Sequence, residues 1–345
     1  MLTLMLLHVA SMLLMLWYYL HVPWNFPNLP RIPIYVSLLG LWSDMGQDEI
    51  YDRWLREPLE KHGAVIIWFA GRWNILVTRP EYLTDMFRNE DIYQKAGSQV
   101  KIPWSVIASL VGDNVINTHD NWKRFTNVMK PGMTKKTFAT EPMLRKSRRL
   151  VDRLLAEQHD THSGTEKPEG ILVNSLIQKW AVDVMGELFL DYDFQVSSLS
   201  RLVPAFLSID LVQCLDRPMV RIEELQTIIK RTLFKPLFFN FPNLDKYPYI
   251  FTSRKRAFAI MKEFEDALYK TVRTNPRKQI HNGQPGDKQV VHMLEEALDA
   301  GNINDTEFRS NIKITFLTAH ENAQQLMNSA FWELGKNSVS LPLIP

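Results

Sequence analysis

Residues 304–335, NDTEFRSNIKITFLTAHENAQQLMNSAFWELG, decide the fold class, because they predict one long helix around which the chain is organised. Asn304 is the predicted N-cap, with Glu307 three residues later in capping-box spacing, and Gly335 is the predicted C-cap. At about 1.5 Å per residue the helix would span roughly 45 Å, enough to cross a domain. Its apolar residues lie on more than one face, which is typical of a buried helix.

The middle of this predicted helix is polar, although a buried helix is expected to be apolar there. Thr315, Thr318 and Asn322 recur at i, i+3 and i+7 and therefore share a face, with His320 and Glu321 beside them. Two interpretations are open. In the first, Thr318 bonds the carbonyl group four residues before it and the charged side chains leave the core. In the second, these groups handle protons in the floor of a cavity.

The composition excludes several classes of protein. The 345 residues suffice for one large domain or two ordinary ones, and 46% are hydrophobic, which allows a substantial core. The net charge of +2 is too small to indicate nucleic acid as a partner. The single cysteine, Cys214, excludes a disulfide framework and a cysteine zinc cluster. His320-Glu321 lacks the second histidine of a zinc-protease motif, where Gln324 stands, so these residues predict no metal site.

The first twenty residues, MLTLMLLHVASMLLMLWYYL, predict a transmembrane anchor. They carry no aspartate, glutamate, lysine or arginine, and twenty helical residues match a hydrocarbon core of about 30 Å. Residues 21–33 follow as a proline-rich hinge that cannot be helical. The first basic residue, Arg31, lies after the span, so the positive-inside rule places the body in the cytosol.

The rest of the chain predicts a mainly α-helical body with a small β-sheet, an α+β fold. Residues 64–69 and 74–78 are β-branched and aromatic runs that predict a hairpin, and from Arg79 onward the pattern is helical. Basic residues concentrate between Lys123 and Arg149. A solvated basic face is the first interpretation of that stretch, and a docking surface for an acidic protein is the second.

Residues 316–337, FLTAHENAQQLMNSAFWELGKN, resemble the long central helix of the cytochrome P-450 family, the membrane-anchored haem-thiolate monooxygenases of fungal type. The (A/G)-G-x-(D/E)-T signature of that helix matches residues 318–322. The resemblance implies catalytic roles in oxygen activation for Thr318 and for Ala319, whose small side chain leaves room for dioxygen over the haem. Glu321 would be the acid of the motif, and Asn322 stands where the family usually has threonine.

Two further stretches carry the same resemblance. Residues 121–133, NWKRFTNVMKPGM, are similar to the W-x-x-x-R helix that holds the haem propionates. The resemblance assigns Trp122 and Thr126 to cofactor binding: Trp122 matches, and Thr126 stands at the arginine position. Arg124 is two residues from Trp122 and faces elsewhere on a helix. Residues 181–194, AVDVMGELFLDYDF, are similar to a later core helix and its exit.

The resemblance implies a haem cofactor, electrons from NADPH through a reductase, and a lipophilic small molecule as substrate, in secondary metabolism. It also implies a location at the endoplasmic-reticulum membrane with the body in the cytosol. The fold implied is the N-terminal two-thirds of a cytochrome P-450 fold preceded by a transmembrane helix. Its body would cover residues 34–337, and an atypical tail would cover residues 338–345.

The family's E-x-x-R helix and haem-cysteine loop, which follow its central helix, have no counterpart in this sequence. We therefore expect the chain, as written, to be inactive and to form no haem-thiolate centre on its own. The alternative is a non-catalytic, membrane-tethered interaction protein or a gene-model fragment. In either case we expect four apolar side chains of the central helix to be under-buried: Phe316, Leu326, Met327 and Phe331.

Overall fold

The structure is a computed structural model that describes most of the chain. Its described residues are mainly helical with one two-stranded sheet, so the predicted α+β class is confirmed. Cys214 and the predicted tail over residues 338–345 lie outside them. The ranges described are 2–116, 121–134, 140–162, 171–192, 194, 218–233, 235–274 and 288–336.

The secondary structure begins with a long helix and ends with a longer one. The two strands are β1 (Ala64–Phe69) and β2 (Arg72–Val77). The helices in chain order are α1 (Leu2–Leu20), α2 (Ile34–Leu38), α3 (Gln47–Ile50), α4 (Arg56–His62), α5 (Pro80–Arg88), α6 (Ser98–Lys101), α7 (Val106–Val111), α8 (Trp122–Met133), α9 (Thr140–His162), α10 (Val173–Leu190), α11 (Pro218–Leu233), α12 (Pro236–Asn240), α13 (Thr252–Arg273), α14 (Val290–Asp299) and α15 (Asp305–Lys336).

One compact unit, Met1–Lys95 with Arg231–Thr252, contains the hairpin. β1 and β2 pair antiparallel, and the loop between them places Ala70 and Gly71 at positive φ, as a tight hairpin turn requires. The Ile32 N–H donates to the backbone carbonyl of β1 at 2.8 Å, so the end of the proline-rich segment pairs with the hairpin.

Helix α1 exposes its apolar side chains to solvent. Its C-terminal end contacts the sheet, because the Trp73 indole N–H donates to the Leu20 carbonyl oxygen at 3.0 Å. Across the described residues, no helix is both long enough and apolar enough to cross a membrane. The predicted transmembrane span over residues 1–20 is therefore not supported.

The other unit, Ala96–Lys230 with Ser253–Pro345, is organised around α15, as the sequence predicts. Helix α10 packs along α15 and against α9. The Phe316 ring of α15 packs against two other rings: its centroid lies 5.4 Å from that of Phe194, which follows α10, and 6.1 Å from that of Phe264 of α13. An apolar cluster joins α9 and α10, and Ala323 and Met327 of α15 pack against it.

The start of α15 is the capping box that the sequence predicts. The Glu307 N–H donates to Asn304 Oδ1 at 2.9 Å, and the Asn304 N–H donates to Glu307 Oε2 at 2.9 Å. The predicted C-cap is wrong, because α15 continues through Gly335 to Lys336.

The expected under-burial holds for two of the four residues, Leu326 and Phe331. Leu326 is 72% exposed and Phe331 is 41% exposed, whereas Met327 is half-buried. Phe316 is only 4% exposed, so the expectation is wrong for that residue. The reason is the aromatic packing of Phe194 and Phe264 on its ring.

Candidate active site

Helix α15 changes character in its middle. Every side chain from Ser310 to Leu317 is buried, whereas Thr318 and Ala319 are half-buried and Asn322 is exposed. Successive residues turn by about 100° around a helix, so the last three side chains lie within an arc of about 100°. We call the surface formed by Thr318, Ala319 and Asn322 the open face. The structure thus brings three of the four predicted motif residues together on one side of the helix.

The polar groups of the open face bond the helix backbone. The Thr318 hydroxyl donates to the Ile314 carbonyl oxygen at 2.8 Å, and the Asn322 amide donates to the Thr318 carbonyl oxygen at 2.9 Å. The first interpretation of the sequence is therefore confirmed for Thr318. The Thr318 hydroxyl oxygen keeps its capacity to accept a hydrogen bond, so it can still hold a water molecule or a ligand donor.

Glu321, the predicted acid of the motif, lies about 60° around the helix from Thr318. Its carboxylate forms an ion pair with the Lys230 ammonium of α11 at 2.9 Å, and both side chains are about two-fifths exposed. The Gln226 amide also donates to Glu321 Oε1, at 3.4 Å. Glu321 is therefore a charged group at the rim of the open face, with contact to water.

His320 points the opposite way and is only 1% exposed. Its Nδ1 contacts the Phe316 carbonyl oxygen, and its Nε2 lies 2.7 Å from the Gln226 amide nitrogen. Burial lowers the pKa of His320 to about 4, against the opposing effects of the Phe316 carbonyl and the Glu321 carboxylate. The imidazole is therefore neutral at pH 7.

The buried half of α15 carries polar side chains that the sequence analysis did not use. The Lys313 ammonium donates to Glu265 Oε2 of α13 at 2.5 Å and to the Ser109 carbonyl oxygen of α7 at 2.9 Å. Asn311 accepts from the Val115 N–H at 3.0 Å. These partners lie far away in the chain, so no local pattern predicts them. They fix α15 against the elements around it.

Helix α8 carries the two residues predicted to bind a cofactor. Trp122 and Thr126 lie one turn apart and are both half-buried. Arg124 turns elsewhere, as predicted: its guanidinium donates to the Asn302 carbonyl oxygen at 2.6 Å and forms an ion pair with Glu307. Arg124 therefore anchors α8 to the capping box of α15, a role that the sequence analysis missed.

The basic stretch between Lys123 and Arg149 is only partly a solvated face. Lys146 is buried, and its Nζ lies 3.5 Å from Glu187 Oε2 of α10. The Arg145 guanidinium donates to both Glu187 carboxylate oxygens, at 2.8 and 3.0 Å. The interpretation as a solvated face is wrong for these two residues, because they join α9 to α10.

A haem iron needs a protein ligand, and a single side chain can supply it. Both ring nitrogens of His320 are already engaged, and Cys214 lies outside the described residues. Within the described part of the chain, no three histidine, cysteine, aspartate or glutamate side chains form a group that could hold a metal ion. His320 is therefore not free to ligate an iron, and the open face of α15 is a candidate wall for a haem.

Two known proteins are similar to this chain. Cytochrome P-450 monooxygenase xanG of Aspergillus fumigatus is 58% identical over 325 residues, which cover 93% of this chain and 56% of the relative. Cytochrome P-450-DIT2 of Saccharomyces cerevisiae is 34% identical over 325 residues, which cover 92% of this chain and 59% of the relative. The chain thus spans less than two-thirds of the length of either relative. No family model matches the chain.

Proposed function

This chain belongs to the cytochrome P-450 family, because it is similar to two fungal members over more than nine-tenths of its length. On that premise we propose that it forms part of a haem-dependent monooxygenase. The open face of α15 would form the wall on the oxygen side of the haem. The observation that carries this proposal is the accessibility of the motif. The uninterrupted run of buried side chains ends at Leu317, and the matched residues Thr318, Ala319 and Asn322 share one accessible side.

The side chains of the open face suit that role. The methyl group of Ala319 is the smallest side chain that an L-residue can present there, so it leaves room for a diatomic ligand. Thr318 and Asn322 place a hydroxyl and an amide on either side of it, where they can hold water and pass a proton. Glu321 at the rim contacts solvent and would renew that proton.

We further propose a lipophilic small molecule, in secondary metabolism, as the substrate, with electrons from NADPH delivered by a reductase. Leu326 supports the first part, because it is exposed one turn beyond Asn322 and continues the open face with an apolar side chain. The relative xanG is a monooxygenase by name, which supports the need for an electron donor. Location at the endoplasmic-reticulum membrane stays a prediction, and membrane fractionation of cells that express the chain tests it.

Carbon monoxide binding tests the position of the open face. The purified full chain is supplied with haem, reduced, and titrated with carbon monoxide while its Soret band is recorded. Ala319→Phe fills the proposed oxygen site and is expected to weaken carbon monoxide binding at least about tenfold, through steric overlap. The matched control is Ala330→Phe, at an exposed position on the same helix, which is expected to bind as the wild type does. Equal affinities in the two variants would show that the open face is not the oxygen side.

The same spectra test the axial ligand. The sequence predicts that Cys214 is not the ligand, so we expect no red-shifted Soret band of a thiolate-bound carbonyl complex from this chain alone. Such a band, abolished by Cys214→Ser, would show that prediction to be wrong and would make Cys214 the ligand.

A further inference from the structure

Four polar side chains meet where α11 packs on α15, and we call them the α11–α15 cluster: Gln226, Lys230, His320 and Glu321. Gln226 and His320 are each 1% exposed, whereas Lys230 and Glu321 reach solvent. The cluster lies directly behind the open face, because His320 and Glu321 are two residues of the motif itself. Gln226, 94 residues before His320 in the chain, contacts both of them.

The backbone decides which nitrogen of His320 carries the proton. Nδ1 contacts the Phe316 carbonyl oxygen, which only accepts hydrogen bonds, so Nδ1 must donate. In a neutral imidazole the other nitrogen, Nε2, then carries the lone pair. The group that faces Nε2 at 2.7 Å must therefore be a donor, and the Gln226 amide NH2 meets that requirement.

Gln226 uses its amide nitrogen twice. One N–H donates to His320 Nε2, and the other points to Glu321 Oε1 at 3.4 Å. Its carbonyl oxygen is buried and has no hydrogen-bond partner among the described residues. A flipped amide would place that oxygen against Nε2, and Nε2 can donate a hydrogen bond to it only when Nε2 is protonated. The observed orientation therefore matches the neutral Nδ1–H imidazole and opposes a second proton.

We propose that Gln226 is a positioning residue for the motif, which holds His320 in its neutral Nδ1–H form and steadies the Glu321 carboxylate beside Lys230. Glu321, and not His320, is then the motif residue that exchanges protons next to the open face. This catalytic consequence rests on the proposed function, whereas the protonation state of His320 does not.

The surroundings of His320 agree with this assignment. The charged groups that face it are Glu321 on its own helix and Lys230 on α11, and they oppose each other: Glu321 raises the pKa of His320, and Lys230 lowers it. The Phe316 ring covers the imidazole, with the centroids 4.9 Å apart. Burial is the largest effect, and it brings the pKa of His320 to about 4 because it outweighs the Phe316 carbonyl and the Glu321 carboxylate, which both raise that pKa.

The test is nitrogen NMR of the full chain with 15N-labelled histidine, recorded without haem as a function of pH. His320 is assigned by the signal lost in His320→Gln. We expect the wild type to show the Nδ1–H form at pH 7 and to take up a second proton only in acid. In Gln226→Glu an acceptor replaces the donor that faces Nε2, and the His320 titration is expected to rise by about two pH units or more. The matched control Thr227→Glu adds the same charge at the next, exposed position of α11 and is expected to leave the titration unchanged.

Three results would overturn the proposal: an Nε2–H form in the wild type, a titration in Gln226→Glu that is equal to that of the wild type, or an equal rise in Thr227→Glu. The first of these results, an Nε2–H form, is read from the wild-type spectrum alone, so the proposal can be tested even if Gln226→Glu does not fold. Because no haem is present, a negative outcome concerns Gln226 and leaves the carbon monoxide result untouched.

Discussion

Acid is expected to destabilise this protein through His320, a buried residue whose folded-state pKa of about 4 lies below the ordinary histidine value of 6.5. Between these two values the unfolded chain binds a proton that the folded chain excludes, so the free energy of unfolding falls as the pH falls through that window. With these two pKa values, lowering the pH from 7 to 4.5 costs about 2 kcal/mol at this one residue.

The assay is urea unfolding at the two pH values, followed by tryptophan fluorescence. The wild type and His320→Gln are compared, because the variant keeps a polar side chain that cannot take up a proton. Carboxylates also titrate in this range, but their effect is common to both proteins and cancels in the difference. We expect the wild type to lose about 2 kcal/mol more than the variant between pH 7 and pH 4.5.

His62→Gln is the matched control, because it removes an exposed histidine on α4. Its side chain is in water in the folded and the unfolded chain alike, so we expect the pH dependence of the wild type. An equal loss of stability on acidification in His320→Gln and in the wild type would show that His320 does not take up a proton on unfolding. His320→Asn, with a shorter side chain, serves the same comparison if His320→Gln does not fold.

Three further predictions concern α15 and its contacts, and all are measured by urea unfolding at pH 7. Asn304→Ala removes the N-cap and is expected to cost about 1 kcal/mol; no loss would mean that the capping box contributes little. Gly112→Ala is expected to cost about 2 kcal/mol more than Gly301→Ala. Both glycines have positive φ, but a Cβ at Gly112 would overlap the Ser310 hydroxyl of α15, whereas nothing lies within 4 Å at Gly301; equal costs would exclude that steric contact. Lys313→Met leaves the carboxylate of Glu265 without its ion-pair partner and is expected to cost about 3 kcal/mol, and the double variant with Glu265→Gln is expected to recover part of it.

The parts of α15 that the sequence predicts correctly depend on neighbouring residues. The capping box needs only residues three apart, and the Thr318 bond needs only the carbonyl group four residues before it. The outward face of the motif likewise follows from helical spacing. Local geometry is the same in every α-helix, so these features can be inferred before any packing is known.

The parts that could not be predicted depend on residues distant in the chain. The sequence predicts that Phe316 is under-buried, but the Phe194 ring packs against it. Phe194 lies 122 residues earlier in the chain, so no local pattern shows this contact. The basic stretch between Lys123 and Arg149 predicts a solvated face, because Glu187, the ion-pair partner of Arg145 and Lys146, belongs to another helix. The neutral state of His320 depends in the same way on Gln226.

The buried polar contacts of α15 specify the rotation of the helix about its own axis. Apolar side chains lie all around it, so the hydrophobic effect alone would accept several rotations about its axis. A turn by one residue, about 100°, would break the bonds of Asn311 to the Val115 N–H, of Lys313 to Glu265 and of Gln324 to Asn174. Each bond is directional and joins α15 to a different part of the unit, so all three form together in only one rotation of the helix about its axis. The side that the motif presents outward is thus specified by residues that never reach it.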